Sequence, residues 1–215
     1  MNMDFFMIVE IIGTIAFAMS GALTAIEKEL DYYGITFFAI TTSVGGGIVR
    51  DIVINKSLPA SLANPIYILI SAFSAACVII FYKKIIQLSK VLLIFDAIGL
   101  SAFTAIGAEV AIRNNFEQPF VVITLALLTG TGGGLLRDVF AKEIPFIFRK
   151  EIYAVASIIG AILFLILYKV VGNEVSSYAC FAITLLIRLI SVKKNIHLKK
   201  VVKDRKEEDY VKHIR

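Results

Sequence analysis

The chain has 215 residues, 58% of them hydrophobic, with a mean hydropathy of +0.83; this excludes an ordinary soluble domain and indicates an integral membrane protein. The formal charge of +5 sits wholly in residues 192–215, which hold nine Lys/Arg against four Asp/Glu, while residues 1–191 hold thirteen of each. The basic balance therefore belongs to a tail and supplies no folded surface for nucleic acid.

Seven apolar segments follow in chain order, each near the roughly 20 residues that cross a bilayer core: 5–26, 34–54, 65–82, 91–112, 119–140, 152–168 and 176–190. Strand-like alternation is absent, which argues against an outer-membrane barrel. Residues 1–4 lack the positive flank and small-residue cleavage site of a secretory signal, so the first segment is expected to stay as a span. Cys77 and Cys180 lie in apolar segments with no neighbouring Cys or His, so inert buried thiols are expected rather than a metal site or disulfide.

The second and fifth segments share one string: Gly45-Gly46-Gly47-Ile48-Val49-Arg50-Asp51 returns as Gly132-Gly133-Gly134-Leu135-Leu136-Arg137-Asp138. A helix-interior glycine costs about 1 kcal/mol relative to Ala, and a bilayer has no water for backbone groups that an irregularity frees. Three in a row, twice, predict broken helices that line something polar. The strings are offset by 87 residues (132 minus 45). Downstream, Ile66-Tyr67, Ser71 and Tyr82-Lys83 recur as Ile152-Tyr153, Ser157 and Tyr168-Lys169, offset by 86 (152 minus 66). Upstream, Ala22-Leu23-Thr24-Ala25-Ile26 matches Ala102-Phe103-Thr104-Ala105-Ile106 at an offset of 80, which implies about seven extra residues around 113–118 in the second copy.

Each copy crosses the bilayer three times, an odd number, so the second enters from the opposite side and the repeat is inverted. The predicted fold is an all-α integral membrane protein of seven transmembrane helices, a 3+3 inverted repeat plus a seventh helix, with helices two and five broken at the glycines. Its organisation is a membrane domain over 1–190 (repeats about 5–83 and 91–169, helix seven about 176–190) and a basic cytoplasmic tail over 191–215. An outer N-terminus gathers Lys28, Lys83, Lys84, Lys90, Lys142, Arg149, Lys150 and the tail inside, leaving Lys56, Arg113 and Lys169 outside. The positive-inside rule selects that orientation, with a cytoplasmic C-terminus.

The residues that can carry chemistry cluster at the strings. Broken helices expose carbonyls that attract cations and helix ends that attract anions. Hydroxyls precede each string, Thr41, Thr42 and Ser43 in one and Thr129 and Thr131 in the other, and can replace part of an ion's hydration shell. The alternative is that the small residues only let helices pack closely. Arg50, Asp51, Arg137 and Asp138 either flank an aqueous path and tune ion entry or form structural pairs, within or across the repeats. Asp96, whose counterpart at the offset of 80 is Ala16, is either an intramembrane functional carboxylate or an interfacial partner for Lys90. Glu10 reads as a headgroup-level carboxylate. Arg188, Lys193, Lys194, Lys199 and Lys200 read as a juxtamembrane polybasic run facing anionic lipid. No nucleophile motif or Walker sequence is present, both histidines (His197, His213) are in the tail, and neither an enzyme nor a cofactor is expected.

Two GGGxxRD strings in the second and fifth of seven apolar segments resemble the prokaryotic branch of the trimeric intracellular cation channel family, over about residues 5–190. The resemblance implies a homotrimer in the prokaryotic plasma membrane with a pore in each subunit, passing monovalent cations such as potassium and sodium. It implies kinks at Gly45, Gly46, Gly47, Gly132, Gly133 and Gly134, and charged pore positions at Arg50, Asp51, Arg137 and Asp138. The same family is also described as a glycine transporter domain, so a secondary transporter of glycine or another small amino acid stays beside the channel, with Asp96 or Asp138 holding the ammonium. A membrane scaffold is the third reading.

Overall fold

A computed structural model describes residues 5–87, 90–149 and 152–194. They form eight helices: α1 (Phe5–Glu27), α2 (Tyr32–Val53), α3 (Ala60–Ala63), α4 (Ile66–Ile85), α5 (Val91–Arg113), α6 (Pro119–Phe140), α7 (Phe146–Arg149) and α8 (Ile152–Lys194). Six are long and apolar enough to cross a membrane. The sixth of these is in fact two spans, because Gly172 takes φ 81° and ψ 170° and separates 152–171 from 173–194. That backbone region is essentially closed to residues with a Cβ, so a single glycine sets the boundary between the sixth and seventh predicted spans.

Local signals fix the other ends. The Asp31 carboxylate accepts a hydrogen bond from the Gly34 amide at 2.7 Å and caps α2. Pro119 occupies the first turn of α6, where its missing N–H costs nothing. Glu29, Asn55, Asn115 and Lys142 adopt left-handed φ just past α1, α2, α5 and α6 respectively, closing each with the same turn.

Those closing residues correct the upstream alignment of the repeats. Glu29 and Asn115 are 86 apart (115 minus 29), as are the helix ends Glu27 and Arg113 (113 minus 27). The α5–α6 loop, 114–118, has five residues against four in 28–31, so one residue is inserted rather than seven. The short Ala22–Ile26 match at 80 was a coincidence of small apolar residues. At 86, Phe17 corresponds to Phe103, and the two rings stack on each other at 5.4 Å. The counterpart of Asp96 is Glu10, not Ala16, and the symmetry expected to fail there holds.

The glycine strings require a second correction. Both α2 and α6 run as uninterrupted α-helix through Gly45–Gly47 and Gly132–Gly134, and neither string has a positive φ. The glycines serve close approach. A Cβ on Gly46 would strike the Thr129 carbonyl oxygen and one on Gly133 would strike that of Thr42, while one on Gly132 would lie 3.0 Å from the Gly46 Cα. A step of four forward on one helix meets a step of four back on the other, so α2 and α6 cross in opposite directions, glycine to glycine. Dense packing replaces the hydrophobic effect as the force that joins helices in a bilayer, and it outweighs the propensity loss here.

Around this crossing α1 packs on α2, α4 and α5, and α5 packs on α6 and α8. Apolar clusters fill the first repeat (Leu23, Phe38, Ala75, Val78), the centre (Phe17, Leu100, Phe103, Tyr153) and the second repeat (Ala108, Leu125, Phe164, Cys180).

Candidate functional site: two ends of one glycine crossing

Each repeat ends its glycine helix in the same construction. Arg50 Nε donates to Asp51 Oδ1 at 2.8 Å, and Asp51 Oδ2 accepts from the Ala60 amide at 2.7 Å, which caps α3. Arg137 Nε donates to Asp138 Oδ1 at 2.8 Å, and Asp138 Oδ2 accepts from the Phe146 amide at 2.7 Å, ahead of α7. All four charged groups are buried. The two aspartates are thus spent on holding their arginines and the following turn, and the pairing is within each repeat, which the sequence left open. A tyrosine then faces a carboxylate: Tyr67 donates to Glu10 Oε2 at 2.5 Å, and Tyr153 donates to Asp96 Oδ1 at 3.2 Å.

From this shared frame the ends diverge. In the first repeat Glu10, Thr14, Ser43, Gly47, Arg50 and Tyr67 line a cavity of about 20 Å³. About 10–15 Å³ of such space holds one water, so the cavity has room for a water. Arg50 Nη1 and Ser61 Oγ, which also border the cavity, are buried without a hydrogen-bond partner, as are Asp96 Oδ2, Arg188 Nε and Arg188 Nη2 at the second-repeat end. Ser43 Oγ is tied to Ser71 Oγ at 2.6 Å.

The second-repeat image of this cavity is filled. Leu100 replaces Thr14, Phe146 replaces Ala60, Ile147 replaces Ser61, and Gly134, unlike Gly47, has no room: an added Cβ would lie 2.6 Å from Tyr153 Oη, whereas at Gly47 the nearest atom is 3.7 Å away. Arg137 Nη1 donates to Asp96 Oδ1 at 2.9 Å and to Ser20 Oγ, and its guanidinium lies 4.7 Å from the Phe146 ring centre. Arg188, from the seventh span, stacks on Tyr153 at 4.8 Å and approaches Asp96 Oδ2 to 3.8 Å. In formal charge the open end carries Glu10 and Asp51 against Arg50, and the sealed end balances Asp96 and Asp138 with Arg137 and Arg188. On the Asp138 side a second cavity, of about 340 Å³, is lined by Thr24, Glu27, Leu92, Leu93, Asp138, Glu143 and Phe146.

The predicted residues distribute accordingly. Ser43, Gly47 and Arg50 border the open cavity, with Asp51 behind Arg50. Gly45 abuts Leu136, and Gly46, Gly132 and Gly133 form the crossing. Thr129 and Thr131 return their hydroxyls to the carbonyls of Leu125 and Leu127, the usual way a buried helical threonine is satisfied. Thr42 packs on Gly21 between α1 and α2. Gly134, Asp96, Arg137 and Asp138 belong to the sealed end; Asp96 is fully buried and does not pair with Lys90, whose Nζ donates to the Val192 carbonyl. Glu10 is 9% exposed and lines the cavity. One reading is overturned: Arg188 is 2% exposed and faces the protein rather than lipid. Lys193 and Lys194 are exposed in the last turn of α8, and Lys199 and Lys200 lie outside the described residues. Sequence reasoning missed Tyr67, Tyr153, Phe146 and Ser61; an alignment of the halves at 86 on either side of the glycine helices pairs both tyrosines and both carboxylates.

Fold and site together define a polytopic inverted-repeat membrane protein whose halves meet at a glycine crossing with one open and one sealed polar end. The family model described as "Glycine transporter" matches the chain twice, over residues 7–83 and 93–169, with the spacing of 86 (93 minus 7) that separates the ends of α1 and α5 and the starts of α4 and α8. The chain belongs to this family, whose members include the UPF0126 membrane proteins. It is 35% identical to the UPF0126 inner membrane protein YadS of Escherichia coli K12 over 192 residues, 88% of this chain and 92% of that one. It is 34% identical to the UPF0126 membrane protein YvgT of Bacillus subtilis, covering 86% and 90%. Among solved structures, it resembles a prokaryotic TRIC channel in 0.5 M KCl (34% identity, TM-score 0.85, 92% of this chain and 100% of that one). The TRIC trimeric intracellular cation channel orthologue from Rhodobacter sphaeroides aligns at 32% identity and TM-score 0.84, over 89% and 98%.

Proposed function

We propose that the protein is a potassium-permeable monovalent cation channel of the prokaryotic inner membrane, a homotrimer with one pore in each subunit. The path runs beside the α2–α6 crossing, from the Glu10 cavity to the Asp138–Glu143 cavity. The observation that carries this reading is the polar lining of the open cavity. That lining offers a carboxylate and several hydroxyl oxygens, the ligand type that hard cations take. The likeness to TRIC channels at 30–34% identity supports the same class.

With the N-terminus outside, the open cavity faces outward and the Asp96–Arg137–Arg188 cluster closes the cytoplasmic side. Lys193 and Lys194 then meet anionic headgroups of the inner leaflet. Purified protein in planar bilayers under a potassium gradient is expected to give unitary current steps with a cation-selective reversal potential. Saturable, competable glycine uptake without such steps would establish the transporter instead.

A further inference from the structure

One buried carboxylate belongs to neither end of the glycine crossing. Glu109, in α5, is 1% exposed. Its Oε1 accepts from Arg113 Nε at 2.9 Å and from Arg113 Nη2 at 2.6 Å, and its Oε2 accepts from Ser177 Oγ of the seventh span at 2.7 Å. Arg113 is half-exposed. At the spacing of 86, Glu109 and Arg113 correspond to Leu23 and Glu27, and Leu23 is a fully buried core residue. The first repeat thus fills this position with an aliphatic side chain. A buried carboxylate is costly to desolvate even when paired, and the partner it gains here is a hydroxyl on the span that lies outside the repeat.

The far end of that span brings Arg188 into the seal, and there no hydrogen bond fixes it. Arg188 Nη2 stops 3.8 Å from Asp96 Oδ2, and Arg188 Nε, Arg188 Nη2 and Asp96 Oδ2 are all buried without a hydrogen-bond partner. The guanidinium otherwise stacks on Tyr153 at 4.8 Å. A side chain held by stacking and a long ion pair takes its position from its helix. Arg188 follows Ser177 by eleven residues (188 minus 177), about three turns, so the two lie on one face of the span. The span runs antiparallel to α5, with 177 at 109 and 188 at 96. Between these two points Ala105, Ala108 and Cys180 share an apolar cluster, and such burial is non-directional. Thr184 packs closely on Gly160, which joins the span to 152–171 and not to α5. A satisfied network of carboxylate, hydroxyl and guanidinium specifies one arrangement, and Glu109 supplies it.

We propose that Glu109 is a positioning residue for the sealed end: by holding Ser177 it sets the register of the seventh span against α5 and so keeps Arg188 beside Asp96 and Tyr153. The proposal rests on the channel reading, in which that end limits flux, and adds a residue outside the path that controls it.

Glu109→Leu installs the residue of the first repeat and removes the acceptor. In reconstituted vesicles it is expected to raise basal potassium flux several-fold, as Arg188→Leu does, and the double variant to exceed neither single one, because both act through the same guanidinium. Glu109→Gln keeps an acceptor for Ser177 and is expected to restore most of the seal. A Glu109 that only supports the fold would lower the melting temperature in mixed micelles while flux stayed native, and that result overturns the proposal, as do flux gains that multiply in the double variant. Should Glu109→Leu not fold, Ser177→Ala removes the tie from the other side and leaves the Glu109–Arg113 pair intact; native flux from that variant overturns the proposal equally. A native chain that carries no potassium current overturns the channel reading, and stability then decides the positioning. Losses from Ser177→Ala and Arg188→Leu that fall short of their sum in the double variant support it, and losses that add, as those of independent sites do, overturn it.

Discussion

Glu10 and Asp96 stand at the same place in the two halves, each facing a tyrosine and each near an arginine held by its own aspartate. The extra methylene of glutamate, and Thr14 and Ala60 in place of Leu100 and Phe146, leave Glu10 beside a polar cavity; Asp96 is instead clamped between two guanidiniums. Glu10→Gln keeps an acceptor for Tyr67 but removes the charge. It is expected to lower potassium conductance several-fold and move the reversal potential toward non-selectivity; an unchanged reversal potential would remove Glu10 from the path. Arg188→Leu takes one cation from a buried cluster, and breaking such a pair costs about 3 kcal/mol or more. Denaturation in mixed micelles should show that loss, since Arg137 alone would then offset the buried charges of Asp96 and Asp138. A stability equal to the native chain would return Arg188 to the role of a surface charge.

At the scale of helices, the glycine strings act as a shared contact, and this changes what substitution does. Gly46→Leu has to push against the Thr129 carbonyl, a backbone atom that moves only with its helix. The expected loss exceeds about 3 kcal/mol, the upper end for overpacking, because α2 and α6 must separate. One residue on, Gly47→Ala meets nothing nearer than 3.7 Å and gains up to about 1 kcal/mol from helix propensity, while narrowing the cavity and lowering flux. Opposite stability shifts from adjacent glycines, read by thermal melting, separate packing from a hinge; equal losses would favour the hinge. Gly172→Ala bears on the break that does exist. Its φ and ψ are costly for any residue with a Cβ, by about 1–3 kcal/mol, and the melting temperature should fall by a matching amount. Helix positions were legible in the sequence to within a few residues, since twenty-residue apolar runs have few alternatives in a bilayer. The location of the break was not, because three glycines weaken a helix without saying whether a neighbour will repair the loss by packing against them.

For the whole molecule, the inverted repeat provides two equivalent ends, and the side chains open one and seal the other. Phe146, 8% exposed, is the largest difference, standing where the first repeat has Ala60. Phe146→Ala recreates the small residue of the open end. It is expected to cost about 3–5 kcal/mol, as large-to-small changes at buried phenylalanines do, and to raise basal potassium flux in reconstituted vesicles. Flux at the native level from a folded variant would show that the seal lies elsewhere. The seventh span, outside the repeat, breaks the symmetry by adding Arg188 to the sealed end.

The sequence alone determined the number and position of the spans, the duplication and the doubled GGGxxRD string, because hydropathy and repetition are one-dimensional and survive without coordinates. The register of the first helices in that duplication was within its reach but was masked by a five-residue match of common apolar residues. Only the tertiary structure decided that the glycines join two intact helices, that Glu10 answers Asp96, and that Arg188 turns inward. Each of these depends on which atoms meet across helices far apart in the chain, where a carbonyl oxygen, a methylene or a phenyl ring a few ångströms away sets the outcome.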